Sequence, residues 1–169
     1  MRRQLNEVET ITVGDKLFEK IQTAIDAALS YETQTRGKRK LGITGEVGEV
    51  LVCYHLRRTL GLRLVLDSRS EGFDAIDKDG LHVQIKTRRS ESEGLPRDAG
   101  RTSRFSEHRF DYALLGLLDH NYQLREVWRA DYDKLKPVIK KQKRRNPPLS
   151  SFKTKGVGRK VWPLKLHQT

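Results

Sequence analysis

The stretch 44–59 carries apolar residues on nearly every side of a helix, and such a helix needs other layers to cover it. Val47, Val50, Leu51 and Tyr54 form one stripe, and Val52, Cys53 and Leu56 form a second. Thr44 is placed to cap the start and Gly61 to end the turn that follows. Directly afterwards the apolar period changes from helical to two. Leu62-Arg63-Leu64-Val65-Leu66 reads as a strand, 73–77 as a short strand, Lys78-Asp79-Gly80 as a turn, and 81–87 as the returning strand. A buried helix followed by a hairpin points to an α/β domain.

Within 81–87, Leu81, Val83 and Ile85 project to one side, and His82, Gln84 and Lys86 to the other. Residues 88–108 are polar, rich in Gly, Ser and Arg, and longer than the connections usual in small domains, so the segment reads as functional or mobile. The run 110–118 is a strongly apolar strand, with 122–129 as its hairpin partner across a turn at His120-Asn121. Upstream, Leu17, Ile21, Ile25, Ala28 and Leu29 make 15–31 an amphipathic helix. Downstream, Asp131 is placed to cap a short helix that Pro137 interrupts or restarts, and 160–162 is read as a last short strand.

Charge divides the chain. Eleven of its 34 Lys and Arg residues fall in 136–169, where there is no Asp or Glu, leaving 23 basic residues against 22 acidic ones elsewhere. We therefore read 1–135 as one domain and 136–169 as a basic C-terminal extension. A segment of this kind attracts a polyanion, most simply the phosphates of a nucleic acid, by releasing counterions; the bland alternative is a solvated tail. Arg88, Arg89, Arg101 and Arg104 in the long loop, with Lys140, Lys141, Lys143, Arg144 and Arg145 in the extension, are the candidate phosphate contacts.

Other classes are disfavoured. No apolar run approaches the ~20 residues that span a bilayer, so we expect no membrane association. Met1-Arg2-Arg3 is not followed by an apolar core, so no secretory signal is expected. The one cysteine, Cys53, allows neither an internal disulfide nor a cysteine-based zinc site; it reads as a core residue and fits a reducing, cytoplasmic setting.

A few acidic and polar side chains stand where a purely structural sequence would avoid them. Glu49 interrupts an apolar helix face made by Val52, Cys53 and Leu56, and a buried carboxylate needs a cation: a metal, a lysine or an arginine. Glu46, one turn earlier, is placed to share that cation. Asp74 sits in the first strand of the hairpin, and Gln84 and Lys86 share one face of the second. In the plain structural alternative Asp74 and Lys86 form a cross-strand ion pair and Glu49 meets an arginine. His82 and His108 lie nearby as weaker candidates, and Asp77 reads as a turn residue.

At Asp74, at Gln84-Ile85-Lys86 and at the helical Glu49 within Gly45-Glu46-Val47-Gly48-Glu49, the sequence resembles the PD-(D/E)XK nuclease superfamily over roughly residues 40–130. There an acid on one strand is followed by E/Q-x-K on its partner, and a preceding helix supplies a further Glu. The resemblance implies a restriction-endonuclease-like core, a mixed central sheet with helices on both faces. It implies Mg²⁺- or Mn²⁺-dependent hydrolysis of phosphodiester bonds in DNA. Asp74, Glu49, Gln84 and the Ile85 carbonyl, with Glu46 nearby, would surround the metal, and Lys86 would activate water or stabilise charge. The first helix and the basic extension lie outside it. Gln84 is a neutral donor where the Glu version adds a charge, which lowers the expected metal affinity. A catalytically inactive nucleic-acid-binding protein on the same fold is therefore the second reading, and a small RNA-associated protein with an accidental motif the third. A homodimer suits cutting of two strands, although no coiled coil or apolar patch in the sequence argues for one.

Overall fold

The structure is a computed structural model and describes residues 7–165. The readings of the first six residues and of 166–169 lie outside it. Among the described residues one sheet holds seven strands in chain order: β1 (Thr10–Ile11), β2 (Arg63–Val65), β3 (Ala75–Ile76), β4 (His82–Arg89), β5 (Tyr112–Leu118), β6 (Leu124–Asp131) and β7 (Gly158–Trp162). Every neighbouring pair is antiparallel except β4 and β5, which run parallel. Five helices accompany them: α1 (Asp15–Gln34), α2 (Thr44–His55), α3 (Ser68–Glu71), α4 (Tyr132–Lys140) and α5 (Ser150–Lys153). The expected α/β class with a mixed sheet flanked by helices is therefore observed.

The core follows the alternation of β5, which is buried along its whole length. Tyr112, Leu114 and Leu118 join Ile25 and Ala28 of α1 and Val47, Leu51 and Val52 of α2 in one cluster. Ala113, Leu115 and Leu117 join Leu135 and Ile139 of α4, Phe152 of α5, and Phe105 and Phe110 of the β4–β5 connection in another. A central strand covered on both faces reads as a continuous apolar run, as 110–118 does.

The parallel pairing of β4 and β5 explains the long polar segment. A chain that must return to start a parallel neighbour needs a crossover of a dozen or more residues. Here residues 90–111 make it without a helix.

Several details differ from the sequence reading: Thr44 is the first residue of α2, whose N-cap is Ile43, and Asp131 stands at the N-cap of α4 without a side-chain hydrogen bond to it. Helix α2 ends at His55 rather than near 59, and Leu60 N–H still bonds the Leu56 carbonyl in the turns beyond it. Pro137 lies inside α4 and neither interrupts nor restarts it; the N–H it lacks would have bonded the carbonyl of Asp133, a solvent-exposed residue. The basic stretch is not a separate appendage as far as Lys165, because the boundary expected at 135/136 falls within α4 and β7 closes the sheet beside β6. Its Ile139, Leu149 and Phe152 are buried, and Arg145 and Lys153 are half-buried while its other described cations are exposed; the run of charge hides the apolar anchors between them. Strand β1 and helices α3 and α5 are two to four residues long, too short to show a period. Among the described residues no helix is long and apolar enough to cross a membrane.

Candidate active site

Strand β3 is only two residues long, and its brevity makes the site. The turn after it is set by Asp77, whose Oδ1 accepts the N–H groups of Asp79 and Leu81, and by Gly80 at φ 77°. Ala75 pairs with Val83, and Asp74 N–H still bonds the Val83 carbonyl. Further along β4 the partner strand has turned away. The Ile85 N–H, which would have bonded that strand, donates instead to Asp74 Oδ2 at 2.7 Å, and Gln84 Nε2 donates to the same oxygen at 2.9 Å. Asp74 Oδ1 carries no hydrogen bond among the described residues. In an extended strand a residue's N–H and C=O project to the same side, so the Ile85 carbonyl faces the same gap.

Helix α2 supplies the second acid. Gly48 lies so close to β4 that an added Cβ would sit 2.5 Å from Thr87 Cβ, so the absence of a side chain is what lets α2 lie flush on the strand. The next residue, Glu49, is half-buried and enters the same cavity as Asp74, Gln84, Ile85 and Lys86. This cavity has a volume of about 510 Å³, and its rim includes Lys40, Thr44, Arg88, Ser90, Thr102 and Ser103.

The electrostatics are unbalanced. Burial, then the charge of Asp74, then that of Glu46 push the Glu49 carboxyl up to about 8. Asp74, 7 % exposed, is also raised, chiefly by burial and against the Ile85 N–H that favours its charged form. Burial lowers Lys86 in spite of the two carboxylates. Among the described residues no cation lies within 4.0 Å of Asp74 or Glu49, so the ion pairs of the plain structural alternative are not formed. Lys86 Nζ donates to the Arg104 carbonyl at 2.9 Å and lies 5.0 Å from the centre of the Phe105 ring.

The structure thus brings Glu49, Asp74, Gln84, Ile85 and Lys86 together, whereas Glu46, expected to share the metal, is exposed and does not line the cavity, one helical turn from Glu49 being enough to carry it into solvent. The donor set suits Mg²⁺ or Mn²⁺. Two carboxylates repel each other across the cavity, and an amide and a main-chain carbonyl offer neutral oxygens. Among the described residues no three Asp, Glu, His or Cys side chains form a ready-made cage, and Mg²⁺ is commonly held by one or two carboxylates together with water and substrate phosphates.

The basic candidates part company. Arg104, Lys140, Lys141, Lys143 and Arg144 are exposed, and Arg88 is exposed at the cavity rim. Arg89 is committed to the fold: it forks onto both oxygens of Glu32, donates to the His120 carbonyl and lies 3.8 Å above the Tyr122 ring. Arg101 bonds Gln142 and the Asn146 carbonyl, and Arg145 bonds the carbonyls of Phe105 and Ser106. His82 stacks on Phe73 with centroids 3.8 Å apart, His108 packs over Gly72, and Cys53 is buried with its thiol pushed far up by burial. The sequence reading missed the support of Lys86 by Arg104 and Phe105. The available signal was Phe105 and Phe110, two large apolar residues in and beside a polar loop. No protein-family model and no curated protein matches this chain.

Proposed function

We propose that this protein is a divalent-metal-dependent nuclease that hydrolyses phosphodiester bonds in DNA. The observation that carries the reading is the meeting of half-buried Glu49 and buried Asp74, both raised in pKa and, among the described residues, without a cation within 4.0 Å, in a cavity that also holds a lysine. Retaining unpaired carboxylates in such a place costs several kcal/mol, which is reasonable where function demands it. The resemblance to the PD-(D/E)XK superfamily at these same residues points the same way.

Asp74 Oδ1, Glu49, the Gln84 amide oxygen and the Ile85 carbonyl would hold the metal. When bound, it supplies positive charge to the phosphate oxygens and makes an adjacent water more acidic. Asp74 Oδ2, fixed by two donors, keeps the other oxygen turned toward the cavity. Lys86 Nζ spends one N–H on Arg104 and keeps two donors for a phosphate oxygen or the attacking water. Glu49, its carboxyl raised by burial and by the charge of Asp74, would give up its proton as the metal binds beside it. Arg88 and Lys40 at the rim, and Arg104 with the exposed run Lys140–Arg144 beyond it, would hold the strand through its phosphates.

The test is cleavage of plasmid and branched DNA with Mg²⁺ or Mn²⁺. Wild type is expected to cut, and Lys86→Ala to abolish cutting while DNA affinity stays within about threefold. The second reading, a DNA-binding protein without catalysis, is favoured by one observation: the Gln84 amide is turned to Asp74 as a donor. Tight binding with no cutting under either metal would establish it.

A further inference from the structure

Residues 90–111 run irregularly from β4 to β5, yet their middle is firmly held. Leu149 N–H donates to the Gly100 carbonyl at 2.8 Å, Thr102 N–H to Pro147 at 3.1 Å, and Phe105 N–H to Arg145 at 2.9 Å. The Arg145 side chain answers, with Nε on the Phe105 carbonyl and a terminal nitrogen on the Ser106 carbonyl, both at 3.0 Å. Phe105 is fully buried and packs on Phe110 at 5.6 Å between centroids. The part of the crossover fixed in this way is what Lys86 rests on.

We propose that Arg145 is a positioning residue for Lys86, acting through the Arg104–Phe105 segment. The inference rests on the role given to Lys86 above, and it assigns to an arginine of the basic stretch a task other than gripping phosphate. Lys86 has two places to go on its flexible stem. One is the seat made by the Arg104 carbonyl and the Phe105 ring; the other is the carboxylate pair, which attracts it. An ion pair with Asp74 or Glu49 would neutralise the lysine and one of the two carboxylates and silence the site. The Arg104 seat holds the ammonium away from that outcome, and Arg145 holds the seat by bonding the carbonyls of the two residues that follow Arg104. A guanidinium suits this because its planar fork meets two carbonyls from one fixed side chain.

The experiment compares full-length wild type, Arg145→Gln, Arg145→Lys and, as a control from the same basic run, Lys141→Gln. The first readout needs no activity. In lysine-labelled protein, the Lys86 Cε–Hε resonance should show the upfield ring-current displacement of a group beside an aromatic face. The displacement should be lost in Arg145→Gln and kept in Lys141→Gln. The second readout is cleavage. Arg145→Gln should lower kcat about 10- to 100-fold, as small misplacements of a reacting group do, with KM within about twofold. Added guanidinium should restore part of it, whereas Lys141→Gln, which loses a phosphate contact, should lose activity through KM. An unmoved Lys86 resonance, or a loss in Arg145→Gln confined to KM and DNA affinity, would make Arg145 a phosphate contact and overturn the proposal. If Arg145→Gln does not fold, Arg145→Lys carries the same comparison with a partial loss expected. If wild type cuts nothing, the nuclease reading fails by itself, and the resonance still decides whether Arg145 seats Lys86.

Discussion

Replacing Gly48 by alanine should destabilise the protein, opposite to the usual effect of that change inside a helix. Glycine in a helix interior ordinarily costs ~0.5–1 kcal/mol relative to alanine, so the substitution would stabilise a free-standing α2. Here the new Cβ would lie 2.2 Å from Thr87 Cγ2, 2.3 Å from Oγ1 and 2.5 Å from Cβ. Rotating Thr87 removes the first two clashes but not the third, because Cβ is fixed by the backbone. Carbon atoms pack at ~3.5–4.0 Å, so helix and strand must part by roughly 1 Å. Overpacking of this kind costs ~1–3 kcal/mol, equivalent to a fall of roughly 2–10 °C in Tm for a chain of this size. Thermal unfolding followed by circular dichroism measures it. The cause is specific, so the penalty should shrink by at least about half in a Thr87→Gly background, as expected of residues in direct contact. Because Glu49 follows Gly48, cleavage should fall by more than the lost stability explains. An unchanged or raised Tm in Gly48→Ala would refute the close packing of α2 on β4, and with it the placement of Glu49.

Three further outcomes follow from the same geometry. Glu49 has a folded-state pKa raised from 4.5 to about 8, so its contribution to stability is complete below pH ~4.5 and is lost as pH rises through 8. Glu49→Gln should therefore be more stable than wild type by ~1–3 kcal/mol at pH 8, with little difference at pH 4, in urea titrations at the two pH values. Arg89 and Glu32 are 11 % and 13 % exposed and fully engaged with each other; Arg89→Met should cost ~3–5 kcal/mol in denaturant unfolding, because it strands the Glu32 carboxylate. Changing Lys140, Lys141, Lys143 and Arg144 together to Gln should reduce the salt slope of DNA binding by ~2–4 in fluorescence anisotropy, with Tm almost unmoved because all four are exposed. Truncation at 141 is the wrong version of this test, since it removes β7 and the buried Leu149 and Phe152.

Much of the fold was legible because long apolar segments carry their period openly. The helical pattern of α2 and the continuous apolar run of β5 each mark an element covered on more than one side, and the alternation of β4 marks both an element and a face. The site residues were legible for the opposite reason: Glu49 and Asp74 break such patterns. What the sequence could not reveal depends on pairing at a distance. The parallel arrangement of β4 and β5 turns an anomalous loop into a necessary crossover. The return of 142–150 onto that loop converts Arg101 and Arg145 from free cations into struts. Arg89 looked like its neighbour Arg88, yet side-chain alternation sends one toward Glu32 and leaves the other in solvent. Gly48 lies inside the helix read over 44–59, but its contact with Thr87 is set by the packing of two layers.

In the proposed reaction the Glu49–Asp74 pair serves as a divalent-cation site. Titration of Mn²⁺ into the apoprotein, followed by electron paramagnetic resonance, tests this without any substrate. Wild type should bind Mn²⁺ at one site, and Asp74→Asn should weaken that binding at least about tenfold while leaving the far-ultraviolet circular dichroism unchanged. Equal binding by the two proteins, or none by wild type at millimolar Mn²⁺, would contradict the account.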